Sequence, residues 1–383
     1  MKDYDTSAAF AAENEQKAID LLLTLAKIPA PSGYEDRRAE FCRDFLIREG
    51  ASGVYVDELK NVIYPINDDG ICRLSVVMAH SDVVFPDTDP LPIRIEGDRI
   101  VGPGVGDDSA NAVALLIAAS YLAKHRPTSN GRGLLIVINS CEEGLGNLRG
   151  SKEIFRRYGD RIDEMVSLDG TADAYIGRAV GSLRYRVGVI TEGGHSYSAF
   201  GKPNAIAELS SLIADLYTYV VPSHGKTTYN VGTITGGTSV NTIAERAEML
   251  FKLRSDERSS LAEADAAFRK TLAAHEREGV SFTLVTVGER PCMGDVDPKR
   301  MREIGERTHK ILSRRYTDRY VNPSPLSGST DCNVPLSLGI PAVCYGCYFG
   351  DGEHTYAEYV EIESIKAGLA VALDTLLALL EEQ

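Results

Sequence analysis

The stretch Val101-Gly102-Pro103-Gly104-Val105-Gly106-Asp107-Asp108-Ser109-Ala110-Asn111-Ala112-Val113 constrains this chain more tightly than any other. Its glycines and proline make a tight loop, and two adjacent carboxylates close it. The apolar run Val113-Ala114-Leu115-Leu116-Ile117-Ala118-Ala119 then reads as a buried helix. A glycine-rich loop before a helix can cradle phosphate, but only if backbone N–H groups and a positive dipole end are left for the anion. Asp107 and Asp108 occupy that place and would repel one. Paired carboxylates suit a cation, provided other segments bring further ligands. The other reading is that both simply cap the helix, since Asp is a favoured N-cap.

At 383 residues the chain exceeds the size at which single cores stop growing, so two folding units are expected. Aromatics are scarce at 7% and tryptophan is missing, a balance that fits an alanine- and leucine-rich α/β enzyme better than a lectin-like all-β chain. A formal net charge of -14 argues against nucleic acid and anionic membrane, both of which need basic patches. The N-terminus is polar and acidic, unlike a signal peptide, and no apolar run reaches the roughly 18 residues of a membrane span. A soluble, cytoplasmic protein is predicted. The cysteines at 42, 72, 141, 292, 332, 344 and 347 are scattered, which reads as reduced thiols. Cys344 and Cys347 lack the second pair that a zinc ribbon needs and lie beside an apolar run, so core thiols are expected.

Taken in order, the chain begins with amphipathic helices over about 12–28 and 35–49 and short strands near 53–56 and 62–64. The run Leu74-Ser75-Val76-Val77-Met78-Ala79 is a central strand that ends in His80-Ser81-Asp82. In a mostly parallel sheet, ligands gather at the carboxyl ends of strands. His80 and Asp82 fall on the same side of an extended chain, so the acid is placed to hydrogen-bond the imidazole. A second buried strand, Gly133 to Asn139, ends in Ser140-Cys141-Glu142-Glu143-Gly144, and a third, Glu164 to Leu168, ends in Asp169-Gly170. Carboxylates abutting buried strands cost several kcal/mol if uncompensated, and a cation compensates them. His80, Asp107, Glu142, Glu143 and Asp169 are thus delivered to one rim.

From about 183 to 291 the pattern changes to β-α-β-β-α-β, the split βαβ plan of a ferredoxin-like domain, read here as an insertion. The chain then resumes with a helix over about 298–313, the short strand Ala342-Val343-Cys344-Tyr345, the segment Gly350 to Glu358 and a terminal helix. His354 is the missing second imidazole. The predicted organisation is a catalytic domain in two parts, 1–182 and 292–383, interrupted by the domain 183–291. The fold class is α/β, with a mostly parallel mixed sheet flanked by helices.

Together these residues resemble the di-zinc aminoacylase/carboxypeptidase family, which includes peptidase T, carnosine dipeptidases, glutamate carboxypeptidase, and acetylornithine and succinyl-diaminopimelate deacylases. The likeness rests on His80-Ser81-Asp82, Gly106-Asp107-Asp108, Glu142-Glu143-Gly144, Asp169 and His354, with the inserted domain between the last two. It implies two zinc ions per subunit, with cobalt or manganese able to substitute. Asp107 would bridge them, His80 and Asp169 would complete one site, and Glu143 and His354 the other. Asp82 would orient His80, Asp108 would follow a cis peptide bond, and Glu142 would be the general base. Such a pair of metals lowers the pKa of a shared water to near neutrality, and one acid can take its proton and pass it to the leaving amine.

Within the insertion, Gly193-Gly194-His195-Ser196-Tyr197-Ser198 matches the family's lid motif, implying that His195 stabilises the oxyanion in the partner subunit of a homodimer formed through 183–291. Asn241 and Arg254 match substrate-holding positions, and Gly328-Ser329-Thr330-Asp331 matches a pocket-lining loop. Without the resemblance, Arg254 reads equally as a surface strand charge. Asp169 is the residue of the peptidase T and carnosinase branches, where the deacylases and glutamate carboxypeptidase have Glu. The implied activity is therefore hydrolysis of an amide bond in a short peptide. An N-acyl-amino-acid deacylase and a non-catalytic, dimeric zinc-binding scaffold are the alternatives.

Overall fold

The computed structural model of the chain describes residues 2–381 apart from 69, 71, 127–130, 318 and 320–323. It divides into two compact units, Met1–Ala179 with Asp295–Gln383, and Val180–Gly294.

The first unit is built on an eight-stranded sheet. Its spatial order is Tyr55–Val56, Val62–Ile66, Arg132–Asn139, Arg73–His80, Ile162–Leu168, Ala342–Tyr345, Ile176–Ala179 and Leu326–Gly328. The strands of its middle run parallel, with His80 in register with Asn139 and Leu168 with Tyr345. Three of these are the apolar runs expected from sequence, buried on both faces as parallel strands must be. On the helical side, Lys2–Leu25, Asn111–His125 and Ile362–Glu381 pack on one another. Leu115, Leu116, Leu22, Leu373 and Leu376 are nearly or wholly excluded from solvent there.

A smaller antiparallel sheet, Gly350–Asp351, Tyr359–Glu361, Arg99–Val101 and Arg94–Glu96, has strands too short to show in the sequence pattern. It ties the late segment carrying His354 to the start of the acidic loop, and Gly102 N–H donates to the Glu358 carbonyl at 2.8 Å. The helix Arg149–Tyr158 and the edge strand Leu326–Gly328 were likewise not anticipated.

The second unit is a four-stranded antiparallel sheet in the order Thr227–Gly236, Arg246–Ser255, Gly181–Thr191, Val280–Arg290. The helices Ala205–Leu216 and Arg258–His275 cover one face, over Tyr185, Val187, Val189, Met249 and Phe251, with Phe268 of the second helix stacked on Tyr185 and Phe251. This is the β-α-β-β-α-β order read from the sequence. Asn204 caps the first of these helices: its Oδ1 accepts from Ile206 N–H at 3.0 Å.

Candidate metal centre

The acidic loop is shaped by close approaches that only glycine permits. A Cβ on Gly106 would collide with the Tyr348 hydroxyl and come within 2.9 Å of Glu358 Oε1, and Gly104 is left-handed at φ 68° with Val83 Cγ1 2.5 Å from a notional Cβ. The helix proper begins at Asn111, and neither aspartate caps it. The Asp107–Asp108 peptide bond is cis. Both oxygens of Asp108 are engaged, Oδ2 accepting from His80 N–H at 2.8 Å and Oδ1 from Asn111 Nδ2 at 2.7 Å. Asp107 faces the other way, toward the imidazoles.

His80 Nε2 lies 3.0 Å from Asp107 Oδ1, and His354 Nε2 lies 3.1 Å from Asp107 Oδ2 and 3.2 Å from Glu143 Oε1. The two oxygens of one carboxylate therefore each meet a different imidazole, which is the arrangement of a bridging ligand. Two trios of ligand atoms each fall within 4.8 Å of one another: His80, Asp107 and Glu143, and His80, Asp108 and Asp169. The sequence-predicted His80, Asp107, Glu143, Asp169 and His354 are thus brought to one place from opposite ends of the chain.

Asp82 differs from expectation. The contact to His80 Nδ1 is made by the backbone carbonyl of Asp82 at 3.0 Å, while its carboxylate is 3.5 Å away. That carboxylate instead accepts from the N–H groups of Glu142 and Glu143, each at 2.9 Å, and from the Ser32 hydroxyl at 2.6 Å. Asp82 therefore fixes the imidazole with one group and the Glu142-Glu143 backbone with the other, because its loop and the end of the neighbouring parallel strand lie side by side.

The electrostatics are those of a site short of positive charge. Burial lifts the Glu143 carboxyl to about 7 in spite of His354. Asp169 is driven well above the carboxylate range by burial, against the pull of His80 and with Asp107 and Glu142 adding to it. Burial opposes ionisation of Asp107 too, but the imidazoles outweigh it and its carboxyl lies well below the usual range. His354, held by Asp107 and Glu143, is pushed up to about 11. The donor set fits divalent cations: imidazole nitrogens and carboxylate oxygens, several of the latter forced toward protonation only by burial and mutual repulsion. Metal ions held there would replace protons as the compensating charge.

Several supporting residues carried no signal in the sequence. Glu358, buried, accepts from the N–H groups of Gly104, Gly106 and Asp107 at 2.8, 2.7 and 2.7 Å and so grips the loop that bears Asp107. Arg38, read only as part of an amphipathic helix, is 1% exposed. It donates to the carbonyls of Ile28 and Ser81 and to the Ser109 hydroxyl at 2.7, 3.0 and 3.2 Å. Burial presses its guanidinium down to about 10. In the loop Gly328-Ser329-Thr330-Asp331, Gly328 ends an edge strand and Ser329 follows it. Asp331 reaches inward, accepting from Asn139 Nδ2 at 2.6 Å. Burial, reinforced by Glu142, lifts Asp331 to about 7.

Replacing Glu358 by Gln turns an amide NH2 toward an N–H donor and removes the charge. We expect a loss of about 2–3 kcal/mol of stability in urea titrations of metal-free protein, and metal affinity weaker by about 10- to 100-fold in chelator competition. Wild-type metal affinity in that variant would show that the loop holds its shape without Glu358.

A model of peptidase family M20/M25/M40 matches residues 76–378. The chain belongs to that family. Among its sequence relatives, succinyl-diaminopimelate desuccinylase of Corynebacterium glutamicum is 24% identical over 363 residues, covering 91% of this chain and 92% of the relative. A [LysW]-lysine/[LysW]-ornithine hydrolase of Sulfurisphaera tokodaii is 22% identical, covering 96% of each. Among solved structures, a tripeptidase from Staphylococcus aureus superposes with a TM-score of 0.73 at 19% identity, over 96% of this chain and 98% of that one. The di-peptidase Dug1p from Saccharomyces cerevisiae gives 0.73 at 14% identity, over the whole of both chains. These M20 relatives are hydrolases, and this chain is a hydrolytic enzyme of the same family with a candidate dinuclear centre.

In the second unit, Gly194 and His195 pair with Ile243 and Thr242, and Ser196 N–H donates to the Asn241 carbonyl at 3.0 Å. His195 and Asn241 are therefore neighbours. Tyr197 N–H donates to His195 Nδ1 at 3.2 Å, which leaves the proton of a neutral imidazole on Nε2, pointing a donor outward. Arg254 lies elsewhere, on the Arg246–Ser255 strand between Thr228 and Ser182.

Proposed function

We propose that the chain is a di-zinc metallopeptidase that hydrolyses an amide bond in a short peptide, with Glu142 as general base. The observation that carries this reading is Asp107, whose two carboxylate oxygens face His80 and His354 separately. His80, Asp107 and Asp169 would hold one ion, and Asp107, Glu143 and His354 the other. When bound, the ions supply Lewis acidity toward the scissile carbonyl and lower the pKa of water. Glu142 accepts the proton of the attacking water and returns it to the leaving amine. Asp82 keeps Glu142 and His80 in place. His195, through Nε2–H, is the donor for the developing oxyanion, offered to the partner subunit of a homodimer formed through residues 183–291. Asn241, Arg254, Gly328 and Ser329 hold the substrate.

A peptide is preferred because Asp169 stands where the peptidase branches of the family have Asp. The desuccinylase relative supports a second reading, removal of an acyl group from an amino acid. No helix among the described residues is long and apolar enough to cross a membrane, and we place the enzyme in the cytoplasm. The deciding experiment is metal analysis of the purified protein followed by a panel of di- and tripeptides and N-succinyl and N-acetyl amino acids. We expect peptide cleavage that a chelator abolishes and zinc, cobalt or manganese restores. Cleavage of the acylated amino acids with peptides untouched would establish the second reading instead.

A further inference from the structure

The loop 31–35 lies against the turn that carries Glu142, and Glu35 is wholly buried in it. Glu35 precedes the helix Asp36–Arg48, yet its side chain makes no capping bond to that helix. Its Oε1 accepts instead from Gly33 N–H at 2.7 Å and, 106 residues away in sequence, from Cys141 N–H at 3.1 Å, with the Cys141 thiol 3.4 Å off. Its Oε2 has no hydrogen-bond partner among the described residues. Lys60 Nζ stands 3.9 Å from that oxygen but lies 2.7 Å from Asp36. A buried carboxylate so thinly compensated lowers stability, and a neutral side chain would fill the space without that penalty.

What Glu35 contributes is position. Cys141 is left-handed at φ 59°, a region that residues with a side chain seldom enter. With the chain reversed there, three consecutive N–H groups meet carboxylates: that of Cys141 meets Glu35, and those of Glu142 and Glu143 meet Asp82 at 2.9 Å each. Ser32 Oγ joins the two loops, 2.6 Å from Asp82 Oδ2 and 3.2 Å from the Glu143 carbonyl. Asp82 thus holds Glu142 and Glu143 alike, whereas Glu35 holds only the residue at which the chain turns into Glu142. One oxygen of Glu35 makes all its bonds, and an amide oxygen can supply as much.

We propose that Glu35 is a positioning residue for the reaction: by holding the left-handed turn at Cys141 as a hydrogen-bond acceptor, it sets the direction in which Glu142 leaves the strand end. This rests on the reading of Glu142 as general base. Metal binding does not depend on Glu35, because Asp82 keeps the Glu143 backbone without it.

The test uses the full-length, zinc-loaded protein and whichever peptide or N-acyl amino acid the wild type cleaves. Glu35→Met should lower kcat by about ten-fold or more, the effect of a small misplacement of a reacting group, with KM within about two-fold. Zinc content and the visible spectrum of the cobalt-loaded protein should match those of the wild type. Glu35→Gln should restore kcat to within about three-fold of wild type, and Cys141→Ala should leave it there, since the backbone N–H and not the thiol is held. Glu35→Asp keeps the charge but draws the acceptor back by one carbon–carbon bond, and it should fall as Glu35→Met does; it serves alone if Glu35→Met does not fold. The double variant with Glu142→Gln should be no slower than Glu142→Gln by itself, because no base is left to aim. Full kcat in Glu35→Met or Glu35→Asp beside an inactive Glu142→Gln overturns the role of Glu35 and leaves Glu142 as the base. So do losses that multiply in the double variant, zinc lost in step with kcat, or Glu35→Gln falling as far as Glu35→Met. Wild-type turnover in Glu142→Gln removes the base reading and the role of Glu35 with it.

Discussion

Replacing Glu142 with Gln is expected to leave metal content intact and to lower turnover by at least about 10²-fold, the scale on which a lost general base is felt. Glu142 and Glu143 are adjacent and nearly equally buried, at 5% and 6% exposed, so burial does not tell them apart. Placement does. Glu143 lies beside His354 and within a trio of ligand atoms, and Glu142 belongs to neither trio. Its charge bears on Glu143, Asp169 and Asp331 alike. Since Asp82 holds the backbone N–H of both residues, the amide substitution should disturb neither the loop nor its neighbour. Steady-state rates on a cleaved peptide, measured beside zinc content, check the assignment. Turnover near that of the wild type would remove Glu142 from the role of base, and zinc lost in step with activity would make it a ligand.

Amidating the C-terminus of a cleaved di- or tripeptide should lower kcat/KM by about ten- to hundred-fold, or roughly 1.5–3 kcal/mol, the range for a lost charge-assisted hydrogen bond. The guanidinium of Arg254 offers a fork that matches a carboxylate through two parallel bonds. It sits half-buried, and burial, with Arg290 nearby, lowers its pKa, so it gains from meeting an anion. Arg254→Ala should repeat much of the loss on the free acid yet add little on the amide, because the interaction is already gone there. Equal cleavage of free and amidated peptides by the wild type would return Arg254 to the reading of an ordinary strand charge.

Much of this architecture is legible in the chain because burial imposes itself on composition. Residues 74–79, 133–139 and 164–168 are mostly apolar and buried throughout, as strands covered on both faces are, and the polar residues that end them fall on one rim because parallel strands end together. The inserted domain is legible for the opposite reason: one face of its sheet is open, so its strands alternate. What escapes is long-range and local at once. Glu358 is a lone acid in a loop, and nothing near it in sequence tells of three N–H groups some 250 residues earlier. The same is true of the Asp82 carboxylate, which meets Glu142 N–H across 60 residues. Arg38 looks like part of a solvated helix face, and only the packing of that helix against the strand ends buries it.

The strand Ala342–Tyr345 lies in the sheet between Ile162–Leu168 and Ile176–Ala179, and the grip on the acidic loop comes from Glu358. A ribosome making this protein therefore releases the whole 180–294 unit, able to form its own core, before the sheet of the first unit has all its strands. Most of the candidate ligands leave the tunnel early, yet the residue that grips the loop of Asp107, and the second imidazole at 354, come near the end. The centre is thus a late product of synthesis. A growing chain carries an open row of buried-type strands and a half-built cluster of acids until those last segments arrive.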